Sequence, residues 1–350
     1  MKERLYFLLI ALCFVTACGK KNNSAEVTTV AGNGTMNFAD GKGTDAAFSN
    51  LMGLAIDSAD NIYVADSRNN RIRKVSPDGV VTTIAGSGND GSSDGKGTSA
   101  SFFFPVAVAT GANGNIYVAD THNSLVRKIA PDGTVTTLVG RDQPVKKDRS
   151  DSLQKLDNPY GIAVGKDGTV YFTDWGKDLV CKISPDGKLS EVAGDGAPGA
   201  KDGVRHAASF YLPEGIAVDE KGTLYVADCY NNMIRKISPG GAVTTLAGKA
   251  GKHNMGSKDG KGAAASFNHP CGIALDNKGN VYVADVGNNK IRKITPDGVV
   301  TTLAGTGQRG LANGGAMVAS FNRPFGVAVD RAGNVYIADY QNNLLRKISY

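Results

Sequence analysis

A motif that ends in aspartate recurs six times along this chain at a nearly constant interval. In the first copy, Ile62–Asp66 reads Ile-Tyr-Val-Ala-Asp. The aspartates are Asp66, Asp120, Asp174, Asp228, Asp285 and Asp339, so the steps are 54, 54, 54, 57 and 54 residues. A fixed period of about this length, filled with short strands and turn signals, is typical of propellers and β-arrays. A length of 350 residues alone would suggest two or three domains, but the repeat predicts a single repeat domain instead.

Each unit contains four short apolar segments separated by turn signals. In the first unit they cover residues 53–57, 61–65, 71–75 and 80–84, and we name these strands a, b, c and d. Most strands are apolar on both sides, which suits sheets stacked face to face. Asn-Gly or Asp-Gly signals between a and b, and Pro-Asp-Gly between c and d, indicate tight turns. Each unit is therefore predicted to form one four-stranded antiparallel blade.

The two ends of the chain complete each other. The last unit stops at Tyr350 without a strand d, whereas a spare copy of that strand, Val-Thr-Thr-Val-Ala-Gly, lies at 27–32 before the first unit. Pairing the two removes an exposed sheet edge that would invite aggregation. We predict an all-β, six-bladed β-propeller over residues 26–350, with its last blade closed by the N-terminal strand.

The first 17 residues resemble a bacterial lipoprotein signal peptide. Lys2 and Arg4 precede an apolar run, and Val-Thr-Ala-Cys at 15–18 resembles a lipobox. The run of about 11 residues is too short to span a bilayer, which needs roughly 20. The resemblance implies that Cys18 is lipidated, that residues 18–25 form a tether, and that Gly19 directs the protein to the outer membrane of a bacterial envelope. Removing residues 1–17 changes the formal charge from +6 to +5, which does not call for nucleic acid.

The repeat itself resembles a known family. Pro-x-Gly-Ile-Ala-Val-Asp, Tyr-Val-Ala-Asp, Asn-Asn-x-Ile-Arg-Lys-Ile and Val-Thr-Thr-Leu-Ala-Gly are similar to NHL repeats across about residues 26–350. The resemblance implies a propeller fold and leaves function open, because NHL propellers include RNA-binding modules, protein-binding modules and a peptide-amidating lyase. Export from the cytoplasm argues against RNA as the partner.

The repeating polar residues are expected to maintain the fold. The six aspartates can accept backbone N–H bonds and face the arginines of strand c, namely Arg73, Arg127, Arg235, Arg292 and Arg346. The Asp-Gly-x-Gly loops before strand a lack the alternating carboxylates of a calcium loop, and a buried Phe or Leu is expected to pin each loop. The four histidines show no zinc spacing and no catalytic triad is apparent. We predict no metal, no cofactor and no catalytic residue.

Sequence variation is concentrated next to strands a and b, on loops that emerge at one face of the ring. Variable positions rich in aromatic residues, Arg and His are typical of binding surfaces. Sequence drift on a surface without function would also produce variable positions. The candidates for this face are Arg68, His122, Tyr160, Trp175, Glu214, Tyr230, His269, Arg323, Phe325 and Tyr340. We predict a non-catalytic scaffold that binds a protein or glycan partner through them.

The third unit departs most from the repeat. Cys181 replaces the strand c arginine, Trp175 is the only tryptophan, and the preceding loop at 141–158 is unusually charged. Either this unit is degenerate, or Trp175 and Tyr160 form a stacking pair for a ligand. Whether Cys229 and Cys271 form a disulfide is left open.

An enzymatic alternative also stays open. It is a metal-dependent lyase or lactonase type of propeller with its site at the central channel. For such a site, Glu214, Asn158 and His269 would be the first metal-ligand candidates.

Overall fold

The computed structural model describes residues 25–140 and 155–350. The predicted signal peptide at 1–17, the lipidation site Cys18 and the tether up to residue 24 lie outside the described residues. So does most of the charged loop before the third unit.

Within the described residues, 29 strands form six antiparallel sheets. Blade 1 contains β2 (Gly41–Lys42), β3 (Leu51–Ile56), β4 (Ile62–Asp66), β5 (Arg71–Val75) and β6 (Val80–Ala85). Blade 2 contains β7 (Gly95–Lys96), β8 (Pro105–Thr110), β9 (Ile116–Asp120), β10 (Leu125–Ile129) and β11 (Thr134–Gly140). Blade 3 contains β12 (Pro159–Val164), β13 (Val170–Asp174), β14 (Leu179–Ile183) and β15 (Leu189–Ala193).

The second half of the ring repeats this order. Blade 4 contains β16 (Gly203–Val204), β17 (Pro213–Val218), β18 (Leu224–Asp228), β19 (Met233–Ile237) and β20 (Ala242–Gly248). Blade 5 contains β21 (Gly260–Lys261), β22 (Pro270–Leu275), β23 (Val281–Asp285), β24 (Lys290–Ile294) and β25 (Val299–Ala304). Blade 6 contains β1 (Glu26–Ala31), β26 (Gly314–Gly315), β27 (Pro324–Val329), β28 (Val335–Asp339) and β29 (Leu344–Ser349).

The N-terminal strand closes the last blade, which confirms the prediction. β1 pairs antiparallel with β29, in a register that joins Glu26 to Ser349 and Ala31 to Leu345. Val27 and Ala31 are fully buried in this position. The ring also closes on its inner side, because β27 of blade 6 packs against β3 of blade 1. Six blades and a shared sixth sheet follow directly from the repeat count and from the spare strand.

A fifth, two-residue strand was not predicted. It lies on the outer edge of five sheets and comes from the Asp-Gly-x-Gly loop, as where Gly41 and Lys42 pair with Val81 and Val80. Such a short outer strand covers part of an edge that would otherwise stay open. In the described part of blade 3 the sheet has four strands.

Apolar side chains from neighbouring blades meet between the sheets. Between blades 1 and 2, for example, Ile72 packs with Phe102 and Val118, all of them fully buried. The Phe before each strand a is fully buried in five blades, and Leu156 takes its place in blade 3 with 3% exposure. The predicted packing role of this position is confirmed.

A buried ion pair repeats at the base of the loops. In blade 1 the guanidinium of Arg73 donates to Asp66 at 2.6 Å and to Asp40 at 2.7 Å, and the ring of Phe48 lies 5.3 Å from it. Asp66 also accepts the backbone N–H of Ser49 at 2.8 Å. Arg127, Arg235, Arg292 and Arg346 repeat the arrangement with their own aspartates. The period-marking aspartates of these five blades are therefore structural, as predicted. A loop residue also bonds each arginine, an aspartate in four blades and Asn313 in blade 6.

Short 3₁₀ turns follow each strand b and carry the loops toward the mouth of the ring. They are Ser67–Asn69, Thr121–Asn123, Trp175–Lys177, Cys229–Asn231, Val286–Asn288 and Tyr340–Asn342. Others lie in the loops before strand a, at Gly43–Asp45, Gly97–Ser99, Arg205–Ala207, Lys252–Asn254 and Gly262–Ala264. None of the helices in the described residues is long and apolar enough to cross a membrane.

Glycine allows the inner strands to approach one another around the axis. A Cβ built on Gly272 would lie 2.1 Å from the carbonyl oxygen of Phe325 in the next blade. Gly53, Gly161, Gly215 and Gly326 are equally crowded by the next blade's backbone. Blade 2 has Ala107 near this position. These glycines thus permit the close approach of neighbouring inner strands at the centre of the ring.

Candidate functional site

A cavity opens at the mouth of the ring where the b-to-c and d-to-a loops converge. It has a volume of about 240 Å³, and we call it the rim cavity. It is lined by Met52, Phe104, Tyr160, Glu214, Cys229, Tyr230, His269, Cys271, Val286, Arg323, Phe325 and Tyr340. Seven of the ten predicted candidates, Tyr160, Glu214, Tyr230, His269, Arg323, Phe325 and Tyr340, are therefore brought together.

The other three candidates lie outside this lining. His122 is exposed, and its ring stacks on Phe104 with centroids 4.7 Å apart. Trp175 is half-buried behind Tyr160, with centroids 6.2 Å apart. Arg68 is exposed on the turn that follows Asp66. His122 and Trp175 thus support residues of the wall, whereas Arg68 lies away from it.

The backbone just before each strand a adopts a left-handed conformation. The residues are Asn50, Phe104, Asn158, Leu212, His269 and Arg323, with φ between 49° and 62°. A side chain other than Gly or Asn in this conformation costs on the order of 1 kcal/mol, and such residues tend to occur at functional sites. In this way the fold aims large side chains such as Phe104, His269 and Arg323 into the mouth.

A side chain from the preceding blade holds five of these six described turns, and the turn at Asn158 is the exception. The carbonyl of Asn232 accepts the backbone N–H of His269 at 2.9 Å, and Asn289 accepts that of Arg323 at 2.9 Å. In blade 3 Asp178 takes the same role toward Leu212 at 2.6 Å. This explains the second Asn of the Asn-Asn motif, which sequence reasoning treated only as a turn residue.

Aromatic rings form a continuous arc along one side of the rim cavity. Tyr160 lies against Trp175 on one side and Phe325 on the other, with centroids 6.2 and 6.0 Å apart, and Phe325 contacts Tyr340 at 6.2 Å. Such rings supply large, rigid contact surfaces for a partner. The predicted contact between Trp175 and Tyr160 is present, and it is continuous with the rest of the wall.

Glu214 is the acidic group of the rim cavity and is only 7% exposed. Burial raises the pKa of this carboxyl to about 7, although the thiols of Cys271 and Cys229 and the charge of Arg323 act in the opposite direction. Burial also raises the pKa of Tyr160 well above its usual range, and the nearby Glu214 adds to this. The Oε2 atom of Glu214 is buried and accepts no hydrogen bond in the structure.

Two thiols lie beside this carboxyl. The Sγ atoms of Cys229 and Cys271 are 3.8 Å apart, so they are free thiols and not a disulfide in this structure. The Cys271 thiol also donates to the carbonyl of His269 at 3.4 Å. One ligand atom each from Glu214, Cys229 and Cys271 fall within 4.8 Å of one another. All three are of metal-ligating type, but the sequence named only Glu214 as a metal-ligand candidate, for the enzymatic alternative, and neither cysteine.

The repeat register contained a signal for this cluster. Glu214 and Cys271 hold the same position in adjacent blades, as the second residues of β17 and β22, and Cys229 follows the period-marking Asp228 of the first of these blades. Of the trio expected for a metal-dependent enzyme, Glu214 and His269 line the rim cavity. Asn158 lies outside the lining, and its amide donates to Asp157 at 3.0 Å.

Blade 3 differs in its buried charge as well as in its sequence. Cys181 fills the arginine position and is fully buried, and within residues 25–140 and 155–350 no arginine pairs with Asp174. Burial raises the pKa of Asp174 to about 7, opposed mainly by the backbone N–H of Asp157. Trp175 follows this weakened position directly and stacks on the rim wall. The residues in which blade 3 departs from the repeat thus lie next to the wall of the rim cavity.

Two family models match the sequence. One is described as the NHL repeat and matches residues 48–75, 210–237 and 321–348. The other is described as the Teneurin NHL domain and matches residues 80–149 and 250–313. Together they cover segments from the beginning, middle and end of the ring.

Curated relatives share the sequence over most of this chain. SUPPRESSOR OF QUENCHING 1, chloroplastic, of Arabidopsis thaliana is 32% identical over 313 residues, which cover 84% of this chain and 30% of that protein. NHL repeat-containing protein 2 of Bos taurus is 31% identical over 334 residues, which cover 84% of this chain and 45% of that protein. The chain thus spans less than half the length of these relatives.

Solved structures share the fold at lower identity. An auxiliary nutrient binding protein from Bacteroides thetaiotaomicron VPI-5482 superposes with a TM-score of 0.71 and 18% identity, covering 93% of this chain and 76% of that one. A streptogramin B lyase superposes with a TM-score of 0.57 and 16% identity, covering 93% and 98%. With its six closed blades and its repeat matches, the chain belongs to the NHL-repeat family of β-propeller proteins.

Proposed function

We propose that this chain is a non-catalytic binding propeller that captures a protein or glycan partner at the rim cavity. The observation that carries the proposal is the arc of aromatic rings around a cavity of about 240 Å³, on the face where the repeats differ. Aromatic side chains and arginine are the residue types that contribute most to binding energy. The exposed Arg323 adds a cation at the edge of the same wall.

The polar groups that repeat do not offer a second reactive site. The period-marking aspartates of five blades are each bound to an arginine, and they are fully buried at the base of the loops. An auxiliary nutrient binding protein and a streptogramin B lyase share this fold, so the fold does not choose between binding and catalysis. The composition of the rim cavity is the reason for preferring binding.

Two exposed side chains allow a test that leaves the fold intact. Tyr230 is 44% exposed on the rim, and Arg323 holds a left-handed position at which blades 1 and 3 carry Asn50 and Asn158. We expect Tyr230→Ala and Arg323→Asn each to weaken capture by about tenfold or more, as is typical of binding hot spots. The probes are an array of bacterial envelope glycans and a panel of purified envelope proteins from the source cell.

Matched controls exist on the opposite face of the ring. Tyr350 is 55% exposed and Arg331 is exposed, and both line a groove near the a-to-b turns. Tyr350→Ala and Arg331→Asn should leave capture and melting temperature unchanged. If both rim variants retain wild-type affinity for every probe that the wild type binds, or if the wild type binds none, the proposal is wrong.

A metal-dependent lyase or lactonase is the second candidate, because Glu214 and His269 lie on the same cavity. That activity would require a bound metal that is lost in His269→Ala as well as in Glu214→Ala. It would also require turnover of a lactone or cyclic ester substrate that both variants abolish. Finding both results would replace the binding proposal by this one.

The proposal includes the place where capture occurs. We propose that the protein is exported and held at a bacterial envelope, at the outer membrane, by lipid on Cys18, since residues 15–18 resemble a lipobox. Stable anchoring requires more than one acyl chain, which a lipidated N-terminal cysteine supplies. Cys18→Ser should release the protein from the membrane fraction of the cell. Retention of that variant in the membrane fraction would contradict the anchor.

A further inference from the structure

The capture proposed above rests on the aromatic rings and Arg323, and it does not account for the cluster of Glu214, Cys229 and Cys271 in the wall of the rim cavity. All three residues are nearly or fully buried, with exposures of 7%, 1% and 3%. Both thiols are free and all three side chains line the cavity, so a small ion can reach them from the mouth. A thiolate pair with a carboxylate is a ligand set that proteins use for zinc.

The distances fit a tetrahedral ion without a large movement. Two sulfur ligands at about 2.3 Å from a zinc ion, with a tetrahedral angle between them, lie about 3.8 Å apart. The Sγ atoms of Cys229 and Cys271 are 3.8 Å apart. A carboxylate oxygen of Glu214 lies within 4.8 Å of both, so a change of side-chain rotamer closes the set.

One oxygen of Glu214 is free to bind an ion. The Oε2 atom is buried beside the thiols and accepts no hydrogen bond. A buried carboxyl oxygen without a partner destabilises the folded state. A positive ion beside Glu214 would satisfy that oxygen directly.

We propose that Glu214, Cys229 and Cys271 bind a zinc-class divalent cation in the wall of the rim cavity. Three protein ligands leave one tetrahedral position, which a water molecule or a group of a bound partner fills from the cavity. Binding displaces the protons of both thiols, and that of Glu214 when it is protonated, and these protons pass to solvent. The resulting site has one net negative charge, and the nearby charge of Arg323 opposes it.

This ligand set differs from the one that a lyase or lactonase would use here. The proposed site requires two thiols that the enzymatic alternative does not use, and it does not require His269. It also stands independently of partner capture, because metal binding is measured without a partner. Its failure would leave the binding proposal intact.

Cobalt(II) is the probe for the experiment, because thiolate-to-cobalt charge transfer produces a near-ultraviolet band. The mature chain from Cys18 onward, with Cys18→Ser to avoid an extra thiol, is reduced and titrated under argon. We expect one equivalent of cobalt to bind with a charge-transfer band, and one equivalent of zinc to displace it. Zinc should also raise the melting temperature, since a ligand that binds only the native state stabilises it.

Variants separate this site from other thiols. Cys181 is fully buried in blade 3, so Cys181→Ala is the matched control and should keep the band. Cys229→Ala and Cys271→Ala should each abolish tight cobalt binding, and Glu214→Gln should weaken it at least tenfold with both thiols retained. His269→Ala should keep the band, which distinguishes this site from that of the enzymatic alternative.

Two results would overturn the proposal: a reduced wild-type protein that shows no charge-transfer band, and a band that survives in Cys271→Ala. Circular dichroism of each variant confirms that the ring is folded before the titration is interpreted.

Discussion

The guanidinium of Arg235 donates to the carboxylate of Asp228 at 2.7 Å, and solvent reaches neither side chain. Removing one partner of such a pair leaves a buried charge without compensation, which typically costs about 3–5 kcal/mol. Arg235→Met should therefore lower the free energy of unfolding by about 3 kcal/mol or more in urea denaturation. The adjacent Lys236→Met, on a half-buried side chain of the same strand, is the control and should change it by less than about 1 kcal/mol. Equal effects of the two variants would contradict a structural role for the pair.

Asp174 lacks this arginine and should make blade 3 sensitive to pH. Its folded-state pKa of about 7 lies above the roughly 3.9 of an unfolded chain, so the native state binds the extra proton between these values. Stability from this group therefore falls as pH rises from about 4 to 7. Asp174→Asn should gain about 2–3 kcal/mol relative to the wild type between pH 5 and pH 8.

Unfolding in urea at the two pH values measures this difference. The control is Asp167→Asn in a turn of the same blade, where hydrogen bonds from Thr169 lower the pKa of the carboxyl. The Asp167 carboxyl is ionised in both the folded and the unfolded chain above pH 5. The change in free energy of unfolding caused by Asp167→Asn should therefore be the same at pH 5 and pH 8. A pH-independent effect of Asp174→Asn would show that the carboxyl is ionised throughout.

Deleting the N-terminal strand should destabilise the whole ring. A chain that begins after Ala31 leaves β29 with an open edge and removes the buried Val27. We expect a clear loss in melting temperature and a concentration-dependent increase in oligomers, measured by calorimetry and light scattering. A chain that begins at Ala25 keeps β1 and is the control. If the shortened chain has the same melting temperature as the control, closure of the ring by β1 is contradicted.

Asn232, which links blades 4 and 5, should be replaced with less loss of stability by glycine than by alanine. Asn232 has a φ of 57° and accepts the backbone N–H of His269. Both Asn232→Gly and Asn232→Ala lose this bond and the long one that the Asn232 amide donates to the carbonyl of Tyr230 at 3.5 Å, whereas Asn232→Ala also strains the backbone by on the order of 1 kcal/mol. Unfolding measurements should therefore rank Gly above Ala in stability. The usual ranking, with Ala the more stable, would mean that the backbone relaxes at this position.

The glycines around the axis should not tolerate a methyl group. A Cβ on Gly272 would lie 2.1 Å from the carbonyl oxygen of Phe325, so the two blades must separate to admit it. We expect Gly272→Ala to cost about 1–3 kcal/mol or more in the free energy of unfolding. Gly240→Ala is the control, since its nearest neighbour would be 3.8 Å away. A tolerated alanine at 272 would show that the inner strands are free to shift.

The sequence predicted the parts of the fold that every blade repeats. Six aspartates in register predicted six blades, and a spare strand at 27–32 predicted the closure that joins Glu26 to Ser349. The partnership of Asp66 with Arg73 followed from chemistry alone, because two opposite charges recur seven residues apart. Such features can be predicted from a sequence because the same residues recur at the same position in each repeat.

The candidate site was predicted only in outline, because it is made from differences between copies. Placing the variable residues on one face correctly grouped Tyr160, Glu214 and Arg323 around one cavity. The distance between Cys229 and Cys271 depends on how two neighbouring blades pack, which no spacing along the chain reveals. The two-residue outer strands were missed for a related reason, since glycine-rich loops carry no strand pattern of their own.

The pairing of β1 with β29 places residues about 320 positions apart side by side. During synthesis, β1 leaves the ribosome long before its partner strand β29 has been made. Until then, β1 stays unpaired. A chain interrupted before Leu344 would lack the whole of β29 and would keep β1 unpaired. The sixth blade can therefore be completed only after β29 has been synthesised, so the ring closes late in the folding of this chain.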